Sequence, residues 1–412
     1  MMAVATVVQI GIVDYILWYL LKRININNLT NMKYLFCIFF LFCIYNCANN
    51  KNKNNNNGNI ISFDVNSKSD VNLSNIILNC KYIKLESTNN SLIGELFKIQ
   101  IIKNKIFILD SRKSMALFVF DMDGKFLFKI NNLGKAPGQF IHPCDFVIDT
   151  ISNHIIVADS GQRKLIYYDA EGNYDYQIKT KFFFNSFALH KNCLFFDLVN
   201  NQYDGQTKTV IVTNLKGDIL TNLIPFNEKI KGLGITSTYP FNFINDTLLF
   251  LPAMSNKIYS LSETKAEINY IIDFGINWPT PDLLDMRNVK NVMYIIQKLN
   301  SSNYVAFLNC IATDKVLCFH YYIHGEKQLA FYYKQSNKLI IVDKFIDDIG
   351  CGGFQVPVGS YNNNFIGLLQ IENIKEKILN QKNEKALCPQ ITNIIKDSKD
   401  GDNPVLLLLN IK

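Results

Sequence analysis

From residue 97 onward, short runs of Phe, Ile, Leu and Val alternate with polar turns, and the arrangement recurs. Residues 97–130 read FKIQIIKNKIFILDSRKSMALFVFDMDGKFLFKI and residues 145–178 read DFVIDTISNHIIVADSGQRKLIYYDAEGNYDYQI. Each stretch runs strand, turn, strand ending in Asp, polar turn, strand, acidic-Gly turn, strand. The strand-end residues Asp110 and Asp159 are 49 residues apart, and the turn residues Gly124 and Gly172 are 48 apart. Gly supplies the positive φ that a tight hairpin needs. A third, less regular copy holds LFFD, ending at Asp197, then TVIVTNLKGDIL with its turn at Lys216-Gly217. Further strand groups lie at 241–274 and 304–343, and a last group at 354–371 is completed by VLLLLNI at 405–411.

Four short strands in each stretch of about 45 residues is the arithmetic of a β-propeller blade. The groups number six, so the pattern predicts an all-β, six-bladed propeller of four-stranded antiparallel blades. A ring must close, and pairing of Tyr82–Leu85 with Val405–Ile411 inside one blade would satisfy both free edges. Two segments break the strand pattern with helical spacing, at 281–300 and within 371–397, and are expected to pack on a propeller face.

Composition agrees. Phe and Tyr number 30 and 20 against 2 Trp, apolar residues make up 48% and charged residues 19%. That excludes a wholly disordered chain and favours half-buried strands. The net charge of +7 is not concentrated in any long basic run, so nucleic-acid binding gains no support.

The first sixty residues have another character. Residues 4–21 are almost wholly apolar, with Asp14 their one charge, and are followed by Lys22-Arg23, at the lower edge of a membrane span. A second run, residues 34–45, follows Met32-Lys33 and leads to Cys47, the layout of a bacterial lipoprotein signal, although Asn46 replaces the usual small residue. Cys47 would then be lipidated and hold the protein at a membrane. The division expected is an upstream extension or anchor at 1–31, a signal at 32–47, a flexible Asn/Lys-rich tether and lead-in segment at 48–75, and the propeller at 76–412. Seven cysteines lie beyond the signal, an odd number without a C-x-x-C, and read as buried apolar fillers.

The stretches SLIGELFKI at 91–99, residues 105–130, LGKAPGQF at 133–140, IDDIGCGGF at 346–354 with Pro357, and DNPVLLLLNIK at 402–412 resemble the six-bladed β-propeller lipoproteins of Bacteroidota, with a fainter similarity to NHL-type propellers. The resemblance implies a protein of the bacterial cell envelope, facing the periplasm or displayed at the cell surface. It departs at Gly134-Lys135-Ala136-Pro137-Gly138-Gln139, where the family shows G-x-G-P-G-E. Without that carboxylate, an acid/base or cation-binding role at this loop loses its basis.

Candidate chemistry is sparse. Binding positions are expected among the repeated turn residues and the blade-connecting loops: Asp110, Arg112, Asp159, Arg163 and Asp197, the loop residues Gly134, Lys135 and Pro137, His142 before Pro143, and Asp347-Asp348 ahead of a Gly-rich turn. Recurrence of Asp in every copy also fits hydrogen bonding within its own turn. Arg112, Lys113, Arg163 and Lys164 would make a basic rim. His320 and His324 sit roughly 13 Å apart if both lie on one strand, too far to share an ion. A zinc-dependent propeller lyase would need several converging histidines, and only His142 and His190 are candidates. No G-x-S-x-G elbow, Walker loop or Rossmann fingerprint occurs. No cofactor is predicted, and Ca or Zn has no ligand set behind it. The function these features favour is a non-catalytic propeller that binds a peptide, glycan or envelope protein. The alternatives are a metal-dependent hydrolase or lyase in the central channel, and a structural part of an envelope complex.

Overall fold

The computed structural model describes residues 58–199, 207–230, 235–280, 282–285, 292–380 and 387–412. Cys47, the extension at 1–31, the signal at 32–47 and the first part of the tether lie outside the described residues.

The six strand groups form six four-stranded antiparallel blades in a ring. Blades 1 to 5 occupy residues 98–130, 143–179, 186–225, 241–273 and 306–346. Blade 6 takes strands at 359–361, 364–369 and 405–411 and completes itself with Ile77–Lys84. In that last pairing Leu407 stands opposite Tyr82 and Val405 opposite Lys84, so the chain's two ends close the ring as the edge argument requires.

Burial explains why the middle strands read as continuous apolar runs. Ile155–Asp159 and Lys164–Tyr168 are buried throughout, whereas the outer strand Tyr174–Lys179 of the same blade is largely exposed. A middle strand faces a neighbouring blade on both sides, so both of its side-chain rows are apolar. The result is one apolar seam per blade interface. Phe107 and Leu109 of blade 1 meet Phe146 and Val157 of blade 2, and Phe195 and Val212 of blade 3 meet Leu248 and Phe250 of blade 4. The last seam joins Leu406 and Leu408 of blade 6 to Ile106 and Phe118 of blade 1.

The lead-in segment carries two strands of its own. Asn59–Ser62 pairs in parallel with Ala266–Asp273 on the rim of blade 4. Lys68–Asn72 pairs in parallel with Lys338–Ile346 on the rim of blade 5. Residues 59–84 therefore run along the outer edges of blades 4, 5 and 6 in turn. The helical segments appear as Val292–Asn300 between blades 4 and 5, and as Ile371–Asn380 and Pro389–Lys396 between the second and third strands of blade 6. The seven described cysteines are free thiols, five of them buried. Among the described residues no helix is long and apolar enough to cross a membrane.

Candidate functional site: a pocket at blade 5

In an antiparallel blade entered at its inner strand, the turn between strands two and three emerges on the same face as the loop to the next blade. All the turn and loop residues singled out from the sequence therefore share one propeller face, though they belong to different blades.

The recurring aspartates occupy equivalent strand ends in blades 1 to 3, in different environments. The Asp110 carboxylate accepts N–H groups of Gly94 (2.9 Å), Glu95 (3.0 Å), Arg112 (3.1 Å), Lys113 (2.9 Å) and Ser114 (3.1 Å), and the Ser114 hydroxyl. Burial pushes its pKa up, but the Ser114 hydroxyl and these N–H groups outweigh that and hold it below the usual carboxylate value. Asp159 accepts N–H groups of Ile141 (2.8 Å), His142 (3.2 Å) and Gln162 (3.2 Å), and the Gln162 amide (2.7 Å). Asp197 accepts the Val199 N–H at 3.0 Å, and its other carboxylate oxygen is buried without a partner among the described residues. Burial pushes its pKa up to about 7.

The remaining positions are held locally. Arg112 pairs with Glu95 at 3.0 Å on the surface, and Arg163 lies 4.8 Å from the Phe183 ring centre. The exposed His142 shares a 2.8 Å hydrogen bond between Nδ1 and Ser160 Oγ. In the loop with the exposed Lys135 and Pro137, Gly134 has φ 145° and Gln139 fills the space a Cβ would take, 2.1 Å from its Oε1. Asp347 accepts the N–H groups of Cys351 (3.0 Å) and Gly353 (2.7 Å). Asp348 accepts the Ser74 N–H (2.8 Å) and hydroxyl, tying the lead-in segment to the loop between blades 5 and 6.

The same face carries a pocket of about 510 Å³ at blade 5, within the usual range for small-molecule sites, roughly 300–1,000 Å³. Its floor comes from Asn309 of the inner strand and His320 of the second strand, which stand opposite each other in register. Between Ala306 and Asn309 the pairing slips, and Phe307 sits at φ 51°, unusual for a bulky residue. Such a bulge re-aims side chains, and Phe307 lines the pocket. The walls bring in Thr236, Thr238 and Tyr239 from the loop before blade 4, and Val356, Pro357 and Val358 from the loop before blade 6. Asn309 fixes the first of these loops: its Oδ1 accepts the Ser237 hydroxyl (3.1 Å) and the Thr238 N–H (2.9 Å), and its Nδ2 donates to Phe307 O (2.8 Å).

His320 is the chemical centre of this pocket. It is 6% exposed, and among the described residues neither ring nitrogen has a hydrogen-bond partner. His142 and His190 each have one, and His154 has two. The His320 ring meets the Tyr239 ring edge-on at 5.9 Å. Burial, with the Lys327 charge adding to it, pushes its pKa down to about 4, so at neutral pH the imidazole offers one donor and one acceptor. Burial pushes the Tyr239 hydroxyl up to about 12. Lys327 stands at the rim, its Nζ 5.8 Å from the Tyr322 ring centre. Sequence reasoning weighed His320 as a metal ligand and set it aside as a structural or surface histidine. The signal that marks it is a polar residue inside the apolar strand VLCFHYYI.

Residues 43–410 match a family described as "Domain of unknown function (DUF4934)". Among solved structures, a candidate exported protein from Bacteroides fragilis is similar at 22% identity and a TM-score of 0.75, over 86% of this chain and 99% of that one. A member of the DUF4221 family from Bacteroides vulgatus aligns at 10% identity and a TM-score of 0.49, over 82% of this chain and 97% of that one. No curated protein matches the chain.

Proposed function

The chain belongs to the family described as a domain of unknown function (DUF4934), and from that footing we propose that it is a non-catalytic ligand-binding β-propeller, exported and tethered to the bacterial cell envelope by a lipid on Cys47. The observation that carries the binding role is His320, a buried imidazole in the lining of a pocket, with neither ring nitrogen hydrogen-bonded among the described residues. A buried polar group left without a partner costs stability, and a bound ligand that pairs with it removes that cost. Catalysis is the weaker reading. A general base works best with a pKa near the operating pH, and the His320 value of about 4 lies well below it. No hydroxyl, thiol or carboxylate among the described residues bonds to the ring to make a nucleophile–base pair. Nor do the described residues gather three His, Cys, Asp or Glu that could hold a metal ion. Export draws support from the Cys47 signal pattern and from the similarity to a candidate exported protein.

The test uses full-length protein in detergent micelles with 15N-labelled histidine. Peptides, oligosaccharides and envelope extracts are titrated in while the His320 ring signals are followed. A saturable shift at His320, without conversion of the added compound, is the expected result. Turnover of a lactone, ester or glycan that disappears in His320→Phe would replace the binding role with an enzymatic one.

A further inference from the structure

We propose that the ligand of this pocket is a carboxylate-bearing sugar, a hexuronate free or at the end of a glycan; this rests on the pocket at His320 being the binding site. Charge gives the first constraint. Among the described residues, Lys327 is the one formally charged residue lining the pocket at neutral pH, since His320 is held neutral by burial and no described Asp or Glu takes part. An anionic group is therefore favoured and an ammonium group is disfavoured.

His320 gives the second constraint. Its imidazole lines the pocket at 6% exposure, and among the described residues neither nitrogen has a partner; a neutral ring is satisfied by one acceptor and one donor. Carboxylate and phosphate oxygens accept only, so a bare anion satisfies half of the ring. A hydroxyl group both donates and accepts. Thr236, Thr238 and Asn300 add further groups that do both around the same space. That surplus favours a ring with several hydroxyls over a peptide carboxyl terminus, which brings few donors beside its carboxylate. The rings of Tyr239, Phe307 and Tyr322 supply the apolar walls against which a sugar's C–H face can lie.

Binding is measured by calorimetry and by His320 ring shifts on the full-length protein in detergent. The probes are glucuronate and galacturonate, the matching neutral hexoses, and an acetylated dipeptide with a free carboxylate. A hexuronate is expected to bind at least tenfold tighter than its neutral hexose, as loss of a charge-assisted hydrogen bond implies. Lys327→Met, at an exposed position, should remove that tenfold preference. His320→Phe should weaken both sugars. Equal affinity for hexuronate and hexose, an unaltered preference in Lys327→Met, or tighter binding of the dipeptide would each overturn the acidic-sugar assignment. If no probe moves the His320 signals the assignment also falls. The binding role itself falls only if the wider peptide, oligosaccharide and extract screen leaves those signals unmoved as well.

Discussion

Lys98 Nζ lies 2.5 Å from Asp145 Oδ1, joining the inner strand of blade 1 to that of blade 2. The same lysine donates to Phe146 O at 2.9 Å, and the other Asp145 oxygen accepts the Phe187 N–H of blade 3 at 2.9 Å. One buried carboxylate thus links three consecutive inner strands. Asp145→Ala removes the counter-charge of the Lys98 ammonium and leaves the buried Phe187 N–H without its partner. It should cost about 3–5 kcal/mol, the usual penalty for breaking a buried pair. Chemical denaturation should show a lower midpoint with an unchanged slope. Lys98→Met, which removes the more exposed partner, should cost less. Equal costs would mean that the carboxylate's links to blade 3 contribute nothing.

The repeated turn glycines are equivalent in sequence but not in surroundings. A Cβ at Gly124 would lie 2.0 Å from Lys84 O, the backbone of the ring-closing strand, whereas at Gly217 the nearest atom is Ile178 Cδ1 at 3.5 Å. Both have positive φ, 83° and 86°. Gly217→Ala should therefore cost about 1–2 kcal/mol, the conformational term alone. Gly124→Ala should cost clearly more, because blade 1 must move off the strand that shuts the ring. Paired thermal melts of the two variants measure the difference, and matching losses would show that the closing strand yields freely.

The blades were legible because their physics is local. Strands with two buried faces read as apolar runs, Asp caps its own turn, and Gly marks the hairpins. Ring closure followed from the need to satisfy two edges. The rim strands Asn59–Ser62 and Lys68–Asn72 carried no such signal. They are short, and each gains its place by parallel pairing with residues some two hundred or more positions away. The pocket was hidden for the same reason. His320 acquires its meaning from a bulge at Phe307 and from two loops that belong to other blades, none of which a local pattern encodes.

Cys47 lies outside the described residues, and its proposed role is tested in the cell. If the thiol carries a lipid, Cys47→Ala should move the protein from the detergent-extracted membrane fraction to the soluble fraction. Mass spectrometry of the native N-terminus should find the acyl chains on Cys47. An unchanged distribution would remove the lipid anchor from the proposal while leaving the propeller's binding role intact.

The buried imidazole also predicts how stability depends on pH. In the folded protein His320 holds a pKa of about 4, below the ordinary 6.5, because burial penalises the cation and Lys327 adds repulsion. The unfolded chain therefore takes up a proton at higher pH than the folded one. His320's contribution to stability is intact above pH 6.5, declines as pH falls toward 4, and levels off below that. The full decline is roughly 3 kcal/mol, the equivalent of that displacement. Folding free energies of the native chain and His320→Phe, compared between pH 7 and pH 4.5, isolate this term from the acid titration of the carboxylates, which both share. An NMR titration of the His320 ring should give a midpoint near 4. A midpoint near 6.5 would mean that water already solvates both nitrogens, and the pocket would then lose the unpaired polar group on which its claim to a ligand depends.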